Sequence, residues 1–139
     1  MVRERVQSPS LVASYADQGG FIGVTMFPSF LRRGTDSTVD DYVEAMDYVI
    51  NLVGVDCVGF GTDFTQGQDQ AFFESLMHDK GDGRELTVFG EIVNPLGIRT
   101  IGEYPNLTDA MVRQGWPEAK VRKIMGENWL RVLKEVWGA

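Results

Sequence analysis

The residue best placed to do chemistry is a carboxylate. Asp63 closes the run Val55-Asp56-Cys57-Val58-Gly59-Phe60-Gly61-Thr62-Asp63-Phe64, which reads as a short buried strand. Val55, Cys57, Val58 and Phe60 are apolar, and Gly59 and Gly61 let other backbones come close. Strands of parallel barrels have this character, and such folds carry their chemistry at the C-terminal ends of the strands. Asp63 is therefore the first candidate for a working residue. The same position suits a carboxylate that caps the next segment or pairs with an arginine.

Other chemistry-bearing side chains are scarce. The protein has 139 residues with one histidine, His78, and one cysteine, Cys57. A complete zinc site draws on three or four His, Cys or carboxylate ligands. This sequence can offer carboxylates but hardly an imidazole-based site. His78 stands beside Asp79 in a polar stretch and reads as a solvated loop residue. A single cysteine cannot form an internal disulfide, and reduced cytoplasm is the simplest setting for it. The net charge of −7 argues against a nucleic-acid partner, which needs a basic face. No apolar run reaches the ~18 residues of a membrane span, and the start, MVRERVQSPS, lacks the apolar core of a signal peptide. At 43% hydrophobic and 24% charged residues, the composition suits one small domain with its own core.

The elements that must hold Asp63 follow from spacing. Ser8-Pro9 opens a helix whose apolar stripe is Leu11, Val12 and Tyr15, and Gly19 stops it. Residues 20–27, GFIGVTMF, then read as a strand. A loop with Pro28 and Gly34 leads to a helix over residues 39–53, with Thr38 and Asp41 at capping-box spacing. Val39, Tyr42, Val43, Met46, Val49, Ile50 and Val53 form its sheet-facing stripe, and Asp40, Asp41, Glu44 and Asp47 its solvated face. Helix, strand, helix, strand in that order predicts a βαβ crossover with parallel strands. The long stretch 65–105 holds a short helix near 69–77, a turn at 79–84, and a brief strand or ordered loop near 85–100. Trp116 and the pair Phe72-Phe73 read as local core, with a pocket lining as the alternative. The end is helical: Asn106 caps a helix over 107–114, Pro117 starts another that Gly126 breaks, and residues 128–136 form the last.

Four segments together resemble the membrane (renal) dipeptidase family of zinc metallopeptidases and its bacterial relatives. Residues 19–24, GGFIGV, are similar to the family's GGxIGV strand, and residues 52–64, LVGVDCVGFGTDF, to its LVGxDHVGxGSDFDG segment. Residues 104–108, YPNLT, and 126–132, GENWLRV, match its YPNLT and its GxNxLRV ending, in family order. The departures are Thr65-Gln66 in place of Asp-Gly, and Val6 where an asparagine commonly follows the arginine.

The resemblance implies a fold class and a reaction. The fold is α/β: the last strands and helices of a (β/α)8 barrel, with residues 1–139 as a single C-terminal portion. Full barrels run to about 250 residues. The reaction is zinc-dependent hydrolysis of dipeptides or other small amides. The family's zinc ligands, an HxD pair, a bridging glutamate and two histidines, are expected upstream of Met1. Residue by residue, Asp63 matches the aspartate that contacts the metal-bound water and the substrate's amino end and is thought to shuttle the proton. Arg5 matches the arginine that grips the substrate's C-terminal carboxylate, or is merely a frayed terminal residue. The expectation is a chain that holds no zinc and turns over no peptide by itself. Its partner is the remainder of the barrel, a separately made chain, or another copy of itself. The rival expectation is a non-catalytic α/β module that associates with a partner chain.

Overall fold

The computed structural model describes residues 9–65, 67–76 and 93–138. Its frame is the helix α2, Val39–Val53, with the bounds that the apolar period predicts. Val39, Tyr42, Val43, Met46 and Ile50 are buried along one face. The capping box also forms, with Asp41 in the role usual for Glu: its carboxylate accepts the Thr38 N–H at 2.7 Å and the Thr38 hydroxyl at 3.0 Å.

The strands flank that helix in sequence. β1 is Ile22–Val24 and β2 is Val58–Phe60, paired in parallel with Ile22 opposite Val58 and Val24 opposite Phe60. This is the predicted crossover. Val24 and Val58 turn into the core, and on the other face the paired positions are Gly23 and Gly59. The ring of Phe21 lies where a Cβ on Gly59 would stand, at 2.4 Å, so a side chain there would displace that ring. Phe21 in turn stacks on Trp129, centroids 4.2 Å apart.

Both strands are shorter than expected. Val55–Cys57 is a 3-10 turn, because the chain must swing from the end of α2 at Gly54 into the sheet. Beyond Phe60 only one more ladder bond forms, from the Gly61 N–H to the Val24 carbonyl at 2.9 Å.

Around this unit stand α1 (Pro9–Asp17), α3 (Gln70–Leu76), α4 (Tyr104–Arg113), α5 (Glu118–Arg122) and α6 (Asn128–Trp137). Among the described side chains of α1, Val12, Ala13 and Ala16 are half-buried, whereas Tyr15 is exposed. Helix α4 begins earlier than Asn106, because a Thr100–Glu103 capping box and Pro105 start the coil. Asn106 is inside the helix and donates its amide to the Gly97 carbonyl at 2.8 Å. Leu107, Ala110 and Met111 of α4, with Trp116, Val121 and Ile124 beyond it, complete the core against α2. Trp116 is core, as expected, with the Lys120 ammonium over its ring. The acidic face of α2 is paired rather than simply solvated. Asp40 meets Arg113, Asp41 meets Arg33, Glu44 meets Arg32 and Asp47 meets Lys120. No helix among the described residues is long and apolar enough to cross a membrane.

Candidate active site

The C-terminal end of β2 is where the two glycine-rich strands release the chain. A Cβ on Gly61 would lie 3.3 Å from the Gly23 Cα, so the two backbones touch only because neither residue carries a side chain. The Val24 carbonyl, at the matching end of β1, accepts the Gly61 N–H and also the Tyr42 hydroxyl at 2.6 Å. Burial pushes the Tyr42 phenol well above its ordinary pKa, so it stays protonated and keeps donating. The strand ends are thereby fixed by satisfied hydrogen bonds.

Asp63 follows two residues later and is exposed. Its φ is 59°, and it is the sole non-glycine residue with positive φ among those described. A left-handed backbone costs a side-chain-bearing residue about 1–2 kcal/mol. Such outliers persist only where the surroundings over-determine them, and they cluster at functional sites. Among the described residues, no hydrogen bond or ion pair engages the Asp63 carboxylate, so it neither caps α3 nor pairs with an arginine there. At the start of α3 the nearest carboxylate cap is Asp69, which accepts the Phe72 N–H at 2.9 Å.

The residues on either side of Asp63 are tied to one ring. The Thr62 and Tyr104 hydroxyls share a hydrogen bond of 3.2 Å. Phe64 meets the Tyr104 ring edge-on with centroids 5.8 Å apart, and Phe60 meets it at 5.4 Å. Tyr104 and Thr62 have no role in the sequence reading. The available signal was the tyrosine of YPNLT, placed just ahead of a helix-starting proline. Arg5 and His78 lie outside the described residues.

A profile of the membrane dipeptidase family, peptidase family M19, matches residues 11–88 and 87–138. The chain belongs to this family. An amidohydrolase from Pseudomonas aeruginosa, known from its crystal structure, is 59% identical with a TM-score of 0.92, over 99% of this chain and 43% of that one. The dipeptidase tcpJ of Claviceps purpurea is 30% identical over 84% of this chain and 22% of its own length. A metallo peptidase from Rhodobacter sphaeroides, liganded with a phosphinate mimic of the dipeptide L-Ala-D-Ala, is 26% identical with a TM-score of 0.67, over 93% of this chain and 31% of that one. The chain thus spans between 22% and 37% of the curated relatives it matches.

Membership of the M19 family implies a metal cofactor. Among the described residues no three His, Cys, Asp or Glu side chains converge to hold a metal ion. Asp63 offers one carboxylate at the strand end, too few donors for a site by itself.

Proposed function

We propose that this chain forms the closing part of a (β/α)8 dipeptidase barrel and supplies Asp63 as its proton-transfer group. The observation that carries the reading is the exposed, left-handed Asp63 at the carboxyl end of a parallel strand. Asp63 takes a proton from the attacking water as its oxygen bonds to the scissile carbonyl carbon. It returns that proton to the nitrogen as the C–N bond breaks, leaving one acid and one amine. A positioned carboxylate of this kind contributes roughly 10²–10⁴-fold. Arg5 grips the substrate's terminal carboxylate, a task for which the forked guanidinium is suited. Zinc needs ligands beyond the described residues. The dipeptide mimic held by the Rhodobacter sphaeroides relative and the amidohydrolase name of the Pseudomonas aeruginosa one both support dipeptides or small amides as substrates.

The remainder of the barrel is further polypeptide. Among the described residues each strand pairs on one side only, and α6 exposes Leu130, Val136 and Trp137 at 58%, 72% and 77%. Open edges and apolar helix faces of this kind need cover. The same surfaces also favour the second reading, a module whose role is to bind a partner chain or a second copy of itself.

Two measurements test this. The chain alone, dialysed against zinc, is expected to hold no stoichiometric metal and to leave L-Ala-D-Ala intact. Mixed with the part of the Pseudomonas aeruginosa amidohydrolase outside the match, it is expected to form a larger native particle that hydrolyses the dipeptide and loses that activity with Asp63→Asn. Turnover by the chain alone, or by an undiminished Asp63→Asn mixture, overturns the proposal. A larger particle without turnover leaves the binding-module reading standing in its place.

A further inference from the structure

Asp63 holds an unfavourable backbone conformation without a hydrogen bond or ion pair from any described residue, and the restraint that the described residues offer comes through its neighbours. Both neighbours lead to Tyr104. Thr62 is held through its hydroxyl, and Phe64 through its ring, while Phe60 packs against the same ring from the strand side. Three residues within one five-residue stretch therefore close on a single side chain, with Asp63 between the last two.

Tyr104 is able to act as a fixed post. It is the first residue of α4, and Pro105 presets the backbone of that first turn. The helix is anchored at three points. Leu107, Ala110 and Met111 are buried in the core, Asn106 bonds the Gly97 carbonyl, and Arg113 pairs with Asp40 at 2.8 Å. A ring carried on so constrained a helix transmits its position to whatever it touches.

We infer that Tyr104 is the positioning residue of Asp63: its hydroxyl and ring clamp Thr62 and Phe64 and so keep the carboxylate at the strand mouth. Tyr104 itself does not touch the reacting atoms. The inference rests on the reading of Asp63 as the working carboxylate, but its test reads backbone geometry rather than turnover.

The test is NMR on the full chain, following the HN–Hα coupling and the Cα and Cβ shifts of Asp63, which together report a positive φ. Tyr104→Phe removes the hydroxyl alone, and Thr62→Val removes its partner at nearly constant volume. Each is expected to lose part of the left-handed signature, and the double variant no more than the larger single loss, because both delete one bond. Tyr104→Leu, which also removes the ring contacts, is expected to lose it fully. Should Tyr104→Leu not fold, the two milder variants decide. Asp63 signals unchanged in Tyr104→Phe and Thr62→Val overturn the hydroxyl clamp, and unchanged signals in a folded Tyr104→Leu overturn the positioning role altogether. A failed dipeptide assay with these signals lost as expected would sink the proposed reaction and spare the clamp.

Discussion

The two ends of β2 are built on opposite terms. At its base, side chains from the far end of the sequence satisfy the backbone. The buried Asn128 amide donates to the Val55 and Val58 carbonyls, both at 2.7 Å. Arg131 reaches the Asp56 carbonyl at 3.2 Å, and the Lys123 ammonium pairs with the Asp56 carboxylate. At its mouth, the exposed Asp63 holds a strained backbone that, among the described residues, its neighbours restrain. The base spends its polar groups on stability, while the mouth holds a strained carboxylate that no described residue pairs. Parallel α/β sheets bind ligands beyond the carboxyl ends of their strands, the end of β2 at which Asp63 stands.

The sharpest way to break this comparison is at the mouth. In the assembled enzyme, Asp63→Asn should lower kcat by about 10²–10⁴-fold, the range for a lost acid–base group. Its unfolding free energy should stay within about 0.5 kcal/mol of wild type, as for an exposed site without partners among the described residues. Denaturant curves together with dipeptide kinetics check both halves. A large stability loss would mean that Asp63 is structural.

At the base the signs reverse. Asn128→Ala removes two donors and leaves two carbonyls unmatched, which should cost about 2–3 kcal/mol. The urea midpoint should fall while the Asp63 NMR signals keep their left-handed character. A shift of Asp63 in that variant would show that the two ends are coupled rather than divided.

A third substitution separates strain from chemistry. Asp63→Gly keeps the positive φ at no steric cost, so it should gain up to about 1 kcal/mol, offset in part by the greater freedom of glycine when unfolded. It should also be as inactive as Asp63→Asn. Clear destabilisation would mean that the side chain has a partner at the mouth.

How much of this the sequence discloses depends on how far apart the interacting residues lie. Helix α2 is legible to the residue, because its apolar period, its Thr38–Asp41 box and Gly54 are all local signals. The parallel crossover is legible from element order. The strand lengths are not, since a ladder ends where its partner ends and Val55–Cys57 turns out of α2 at Gly54, with the Val55 carbonyl met by Asn128 from 73 residues away. Asn106 misleads as a cap because Thr100 and Glu103 start the helix before it. Asp63 is found from its place at the strand end. Its positive φ is not fixed locally: aspartate is one of the few side-chain-bearing residues that visit that region, and the ring packed beside it is 42 residues on from Thr62.

The mildest prediction concerns acid. Burial at the start of α2 opposes ionisation of Asp41, but hydrogen bonds from Arg33 and Thr38 outweigh it and hold the carboxyl below its usual range. A carboxylate with a lowered folded pKa contributes stability that is complete above its unfolded value, near 4, and is lost as pH falls through the folded value. Arg33 keeps its charge throughout, with Asp36 and Asp40 adding to its field. Asp41→Asn removes that titration, so wild type should exceed it in stability at neutral pH, and the gap should close below about pH 4. The effect should be well short of Asn128→Ala, since the Arg33 side chain is 52% exposed and solvent screens the pair. The capping box belongs to the mouth side, because α2 starts in the segment that leaves the carboxyl end of β1. Neither the Asn128 amide nor the Arg131 guanidinium at the base changes charge in this window. Acid should loosen the first turn of α2 while the Asn128 contacts, which carry no charge, hold, and side-chain amide shifts of Asn128 can follow this alongside the unfolding curves. A gap between wild type and Asp41→Asn that stays constant through acid would mean that the box holds by geometry alone.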